Sequence, residues 1–244
     1  MIINMLNIII SRIKKSKYEL DNNLTIFDII IIIKEKFINY MLGMIKTIGI
    51  KGKKKHVFVG KKVKISHRNH IIMGSGVQIK DYVEINGLSK EGIVLGNNSS
   101  IGKFTIIRGS GILSNLGKGL IVGENFGCGD FCFFGCSGGI RIGHNVIIGQ
   151  NVRFHSQNHK YNRLDVPIKE QGVISKGIEV GNDCWIGSGA TILDGVKIGN
   201  GCVIGANTLV NKNIPDFSVV VGNPAKIVKN RKESRRGDFI YESK

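Results

Sequence analysis

Proline is nearly absent: three in 244 residues. Acidic residues are also scarce, 18 Asp and Glu against 35 Lys and Arg, which leaves a formal charge of +17. Aromatics make up 7% of the chain, and there is a single tryptophan, Trp185. The five cysteines are an odd number without the spacing of a disulfide framework, so free thiols in a reducing compartment are expected. Cys128, Cys132 and Cys136 lack the closer pairing or the histidine partners of a zinc site, and read as small buried strand residues. No small-residue cleavage site follows the apolar Met1–Ile10, so no secretory signal is expected. The apolar run Ile29–Ile33 stops at Lys34-Glu35-Lys36, too short to span a bilayer. A cytoplasmic protein is the expectation. The excess of positive charge fits nucleic acid, an anionic membrane surface, a phosphorylated cofactor, an acidic glycan, or simply a lysine-rich surface. Nucleic acid is disfavoured, because neither a groove-reading helix motif nor a base-stacking aromatic sheet is present.

What the chain does have is glycine, 33 residues, and a period. Val180, Ile186, Ile192, Ile198, Ile204 and Val210 fall every six residues, and glycine follows at positions 181, 187, 199 and 205. A helix repeats at 3.6 residues and a strand at 2, so neither accounts for six. A six-residue repeat is the signature of a parallel β-helix, with one aliphatic residue per face stacked inward. The pairs Gly181-Asn182 and Gly199-Asn200 read as corners needing positive φ.

Three segments follow. Residues 1–56 lack the period; Thr25–Ile48 carries apolar residues at helical spacing, after a basic patch over Ser11–Lys17. This segment is expected to cap the first coil, as a solenoid end requires, with an amphipathic membrane-surface helix as the alternative. Residues 57–214 form the solenoid, with imperfect turns near Ile65, Ile72, Ile79 and Ile85, and a protruding loop near 155–177. A long interruption rich in His, Asn, Tyr and Gln points to function rather than to a flexible linker. Residues 215–244 close the coil, return along it and end in a basic tail expected to be loosely held.

The run from Ile178 to Gly199, then Val203–Pro215, then Gly222-Asn223-Pro224-Ala225-Lys226, resembles the hexapeptide-repeat acyltransferases, and most of all the sugar and polysaccharide O-acetyltransferases. The resemblance covers roughly residues 57–230. It implies an all-β solenoid whose parallel coils are left-handed, against the usual crossover preference. It also implies acetyl-CoA as co-substrate, a glycan acceptor and a homotrimer with sites between subunits. No metal is expected.

Within Phe154–Tyr161 the resemblance places the catalytic histidine at His159. The chemistry calls for such a group: a sugar hydroxyl must lose its proton as it attacks a thioester, and a neutral imidazole can take it. His155, four residues earlier, is the competing base or a substrate contact, and Tyr161 is a further substrate candidate. Asn158, Asp130 or a main-chain carbonyl is expected to hold the other ring nitrogen. His144 reads as surface. Trp185 precedes the inward Ile186 and so faces out; the resemblance gives it a place at the acyl-transfer centre. For acetyl-CoA the resemblance points to Ser188, Ala206, Asn211, Lys212, Lys226 and Lys229, with lysines meeting phosphates. Other readings stay open: an antibiotic O-acetyltransferase, a γ-type zinc carbonic anhydrase using histidines such as His144, His155 and His159, and a sugar-binding solenoid without catalysis.

Overall fold

The computed structural model describes residues 19–21, 23–110 and 113–233. The apolar start, the basic patch over Ser11–Lys17 and all but the first residues of the basic tail lie outside them. The chain divides into two compact units, 1–38 and 39–244.

Helix α1 (Ile26–Lys46) opens on a reciprocal cap. The Asp28 backbone N–H donates to Thr25 Oγ1 (3.1 Å), and the Thr25 N–H and hydroxyl donate to Asp28 Oδ2 (3.0 and 2.6 Å). One face of α1 carries Ile26, Ile30, Ile33, Phe37, Met41 and Met44, all exposed. Spacings of three and four place them on a single stripe. Asp28 and Glu35 fall on the opposite side of the helix wheel. No helix among the described residues is long and apolar enough to cross a membrane.

Within the second unit the last turns of α1 lie on the first coil. Tyr40 packs on Phe58 and His56, with ring centroids 5.8 and 6.3 Å apart. Gly43 sits so close to the Val57 carbonyl that no side chain fits there. Lys46 Nζ donates to the Val63 carbonyl at 2.9 Å.

From Phe58 onward the chain winds through three parallel sheets. Sheet I begins with Phe58–Val59, sheet II with Lys64–Ser66 and sheet III with Ile71–Met73. They hold nine, seven and six strands. From Phe58–Val59 to Leu209–Val210 each strand is two or three residues long, and the residue of each rung pairs with its equivalent above and below. The six-residue set Val180, Ile186, Ile192, Ile198, Ile204 and Val210 is buried, as the period requires. The core also stacks Phe134 on Phe154, with centroids 5.0 Å apart and planes within 9°.

Four details differ from the sequence expectation. First, Gly181 and Gly199 are not the positive-φ corners; Asp183 (φ 55°) and Gly201 (φ 65°) are. The glycine is required instead by close packing between coils: a Cβ on Gly187 would lie 2.6 Å from Ala206 N and 2.8 Å from the Gly205 carbonyl carbon. The paired asparagine caps the coil below, as where Asn182 Oδ1 accepts from His144 N–H at 2.7 Å. Second, Ile72 faces outward, while Ile71 and Met73 point in. Third, Ser218–Val221 adds one more parallel rung to sheet I, and only Lys226–Asn230 turns back antiparallel. Fourth, a second interruption separates Ile106–Arg108 from Leu120–Val122.

Candidate functional site

His159 sits on a small hairpin that leaves the coil after Arg153–His155 and rejoins it at Ile178–Val180. Asn158–His159 pairs antiparallel with Val173–Ile174, His159 opposite Val173. The imidazole is exposed, and so are Tyr161, Leu164, Ile168 and Ile174 on the same hairpin. This is an ordered loop, for three reasons. At its entry the buried Ser156 donates its hydroxyl to the Gly135 carbonyl (2.7 Å) and accepts from Gly138 N–H (2.9 Å). At its exit Asp194 accepts from Lys176 N–H and Gly177 N–H at 2.9 and 2.7 Å. Inside it, the Gln171 amide donates to the Arg163 and Val166 carbonyls (both 2.8 Å) and accepts from Arg163 N–H (3.1 Å). Lys160 N–H donates to the Gly172 carbonyl (3.0 Å).

Ser156, Gln171 and Asp194 were not singled out from sequence as site residues. Their partners lie up to 21 residues away, and only the fold brings them together.

The two histidines part company. His155 stays on the coil, facing out from sheet II and half-buried beside Phe133, with ring centroids 5.5 Å apart. Burial holds its pKa below the usual histidine value, and the nearby Arg153 charge adds to the effect. His144 belongs to a corner: its Nδ1 accepts from Glu124 N–H at 3.1 Å. Asp130 also has other work, since its carboxylate accepts from Lys103 N–H (2.7 Å) and caps a coil corner. Asn158 joins the hairpin ladder through its backbone. Neither is joined to the His159 ring by a hydrogen bond among the described residues.

Trp185 faces outward from sheet I between Ile147 and Val203, its rung neighbours. Ile147 and Trp185 are 64% and 44% exposed, so the sheet presents an apolar strip here. Ser188 and Ala206 lie on successive rungs of the edge between sheets I and II, both exposed; Asn207 N–H donates to the Ser188 carbonyl (2.9 Å). The turn Gly222–Lys226 continues this edge: Leu209 N–H donates to the Gly222 carbonyl (3.1 Å), and Ala225 N–H to that of Leu209 (2.9 Å). Lys226 and Lys229 are on the returning strand, and Asn211-Lys212 follow Leu209–Val210 at the next corner. The structure thus aligns Ser188, Ala206 and Lys226 along one edge with small residues beneath, and sets Asn211 and Lys212 on a different corner.

A groove of about 620 Å3 runs along sheet III between Arg141, Glu179 and Lys197. It contains none of the candidate residues, and its charges pair with acidic neighbours, Arg141 with Glu91 and Lys197 with Glu179. All five cysteines are free and buried. No group of three His, Cys, Asp or Glu side chains suited to a metal ion occurs among the described residues.

Comparison with known proteins bears on this arrangement. Residues 177–212 match the family described as bacterial transferase hexapeptide (six repeats). The coil is a hexapeptide-repeat solenoid. A probable acetyltransferase of Mycobacterium tuberculosis is 32% identical over 167 residues, 68% of this chain and 52% of that protein. A putative lipopolysaccharide biosynthesis O-acetyl transferase of Escherichia coli is 31% identical over 125 residues, 48% of this chain and 64% of that protein. The crystal structure of a Vibrio cholerae hexapeptide-repeat acetyltransferase complexed with acetyl coenzyme A superposes with a TM-score of 0.50 at 28% identity, covering 57% of this chain and 70% of that one. The chain therefore spans about half the length of the first of these relatives. The fold class expected, a parallel β-helix from the six-residue period and left-handed by the resemblance, is the one these hexapeptide repeats build.

Proposed function

We propose that the protein is an acetyl-CoA-dependent O-acetyltransferase, with a hydroxyl of a surface polysaccharide or its precursor as acceptor. The observation that carries the reading is the hairpin. An exposed histidine stands on a loop bolted at both ends, beside a coil whose repeat matches transferase hexapeptides. The Vibrio cholerae relative binding acetyl-CoA supports the donor, and the Escherichia coli relative named for lipopolysaccharide biosynthesis supports the acceptor class.

In this reading the neutral His159 imidazole accepts the acceptor hydroxyl's proton as its oxygen attacks the thioester carbonyl. Backbone N–H groups of the coil edge stabilise the oxyanion. The tetrahedral intermediate collapses, the C–S bond breaks, and the imidazolium returns its proton to the departing thiolate. No covalent enzyme intermediate forms. Ser188, Ala206 and Lys226 line the donor's path, with Lys229 near its phosphates. Trp185 and Ile147 form an exposed apolar strip, and the hairpin carries its own exposed Tyr161, Leu164 and Ile168. Homotrimerisation that seats one chain's hairpin against the next chain's Trp185 strip covers both and completes the site. The apolar stripe of α1, on a chain of net charge +17, suits peripheral docking on the inner, anionic face of a membrane where a lipid-linked precursor is presented.

The test is release of free CoA thiol from acetyl-CoA on adding candidate glycans, compared between the wild-type protein and His159→Ala. Glycan-stimulated release that disappears in the variant supports the reading. Equal release by both removes His159 as the base.

A further inference from the structure

The outer face of sheet II has a composition that the coil does not require. In each strand the middle residue points into the core: Ile107, Phe134, Phe154 and Ile192 are buried. The flanking residues face out in two registered rows. One row runs Glu84, Ile106, Phe133, Arg153; the other runs Asn86, Arg108, Gly135, His155. Gly135 leaves an opening between Arg108 and His155, and the Phe133 ring leans over it: a Cβ there would lie 3.0 Å from Phe133 Cε1. The half-buried ring is then flanked by the Arg108 guanidinium, 6.0 Å from its centroid, and by the His155 ring at 5.5 Å. Below Arg108 the face deepens into a groove of about 540 Å3 lined by Ser66, Arg68, Asn86 and Ile106.

The arginines of this face differ from the strand cations of sheet III. On sheet III, Arg141 and Lys197 are each ion-paired with a glutamate. On sheet II, Lys64 is paired with Glu84. Arg108 and Arg153 have no carboxylate partner among the described residues; Arg153 donates only to Asn151 Oδ1 (3.2 Å). Two cations without a carboxylate partner among the described residues thus border a half-buried aromatic ring. A forked guanidinium matches a carboxylate or phosphate, and an aromatic face matches the apolar side of a sugar ring. The strand Arg153–His155 also feeds directly into the hairpin, so His159 lies four residues beyond His155.

We propose that this face is the acceptor subsite and binds an anionic sugar, with the ring on Phe133 and its carboxylate or phosphate on Arg108 and Arg153. The acceptor role rests on the acetyltransferase reading above; the binding itself does not.

The experiment is calorimetric titration of the full chain at physiological salt with three probes: a glucuronate-containing tetrasaccharide, glucose 1-phosphate, and cellotetraose as the neutral control. Acetyl-CoA is titrated in parallel. The expected result is binding of at least one anionic probe, about tenfold weaker or worse for Arg108→Ala and Arg153→Ala. Acetyl-CoA affinity stays unchanged in both variants, and Lys197→Ala on sheet III leaves every affinity unchanged. Preference for the tetrasaccharide or for the sugar phosphate identifies which anion is read. Both arginines are exposed, so the variants are expected to fold, and unchanged melting temperatures confirm it. Cellotetraose binding as well as the anionic probes, wild-type affinity in Arg108→Ala, or no binding by any probe would overturn the proposal. Failure of the acetyltransferase reading shows separately, as absence of acetyl-CoA binding.

Discussion

Ser156→Ala perturbs the hairpin without touching it. The Ser156 hydroxyl is fully buried; it donates to the Gly135 carbonyl at 2.7 Å and accepts from Gly138 N–H at 2.9 Å. Alanine removes both bonds and leaves the Gly138 N–H buried without a partner. A buried donor stripped of its acceptor costs about 1–3 kcal/mol. For a chain of this size each kcal/mol shifts the melting temperature by about 2–4 °C, so a fall on the order of 5 °C is expected. The local effect is larger than the global one, because the bond lies where the hairpin leaves the coil. Two measurements check this: scanning calorimetry, and hydrogen exchange at the Lys160 amide, which donates to Gly172 across the hairpin. Faster exchange at Lys160, with unchanged protection in the strand Thr191–Leu193, is the expected pattern. A melting temperature within 1 °C of wild type, together with unchanged Lys160 exchange, would refute the claim that Ser156 anchors the loop.

Other perturbations separate stability from chemistry. His159→Ala removes an exposed side chain, so the melting temperature should hold to about 1–2 °C, while acetyl transfer falls by roughly 10²–10⁴, the usual contribution of a general base; a steady-state assay beside a melt reads both. Phe154→Ala opens the stacked aromatic core against Phe134 and should cost about 3–5 kcal/mol in denaturant unfolding; a loss under about 1 kcal/mol would contradict the packing. His155 has a folded pKa below its unfolded value, so the folded state binds fewer protons. Its contribution is complete above about pH 6.5 and is lost as pH falls below that. Melting temperatures at pH 7.5 and 5.5 should therefore drop less in His155→Gln than in wild type, and an equal drop would remove His155 as a cause. Phe37→Glu places a charge in the exposed stripe of α1 and should reduce co-sedimentation with anionic vesicles; unchanged retention would end the membrane proposal.

The solenoid was legible because its signal is repetitive. One aliphatic residue per face must face inward on every rung, so the period shows in the chain as written. The hairpin was legible as a break in that period. Less visible was anything that depends on which rungs become neighbours. The glycine of each repeat was assigned to corner dihedrals, whereas coil-to-coil packing at positions such as Gly187 requires it. Asp130 was offered as a partner for the His159 imidazole, yet it caps Lys103 one coil below, 27 residues away in sequence. Ile72 was taken to mark an imperfect turn, whereas its strand neighbours Ile71 and Met73 carry the core there. Tyr82, Phe104 and Phe131 stack in an exposed ladder at 4.7 and 4.9 Å. Their spacings of 22 and 27 residues hide that ladder, because insertions separate the coils unequally. Phe133, Arg108 and Arg153 escaped notice for the same reason.

The central claim is that the coil edge past Ser188 and Ala206 holds acetyl-CoA. Calorimetric titration of acetyl-CoA at moderate salt tests it most directly, with ATP as the control for general attraction to a +17 surface. The account predicts saturable binding of acetyl-CoA, weakened by Lys226→Ala, and no comparable binding of ATP. Equal binding of the two nucleotides, or no binding at all, would contradict it.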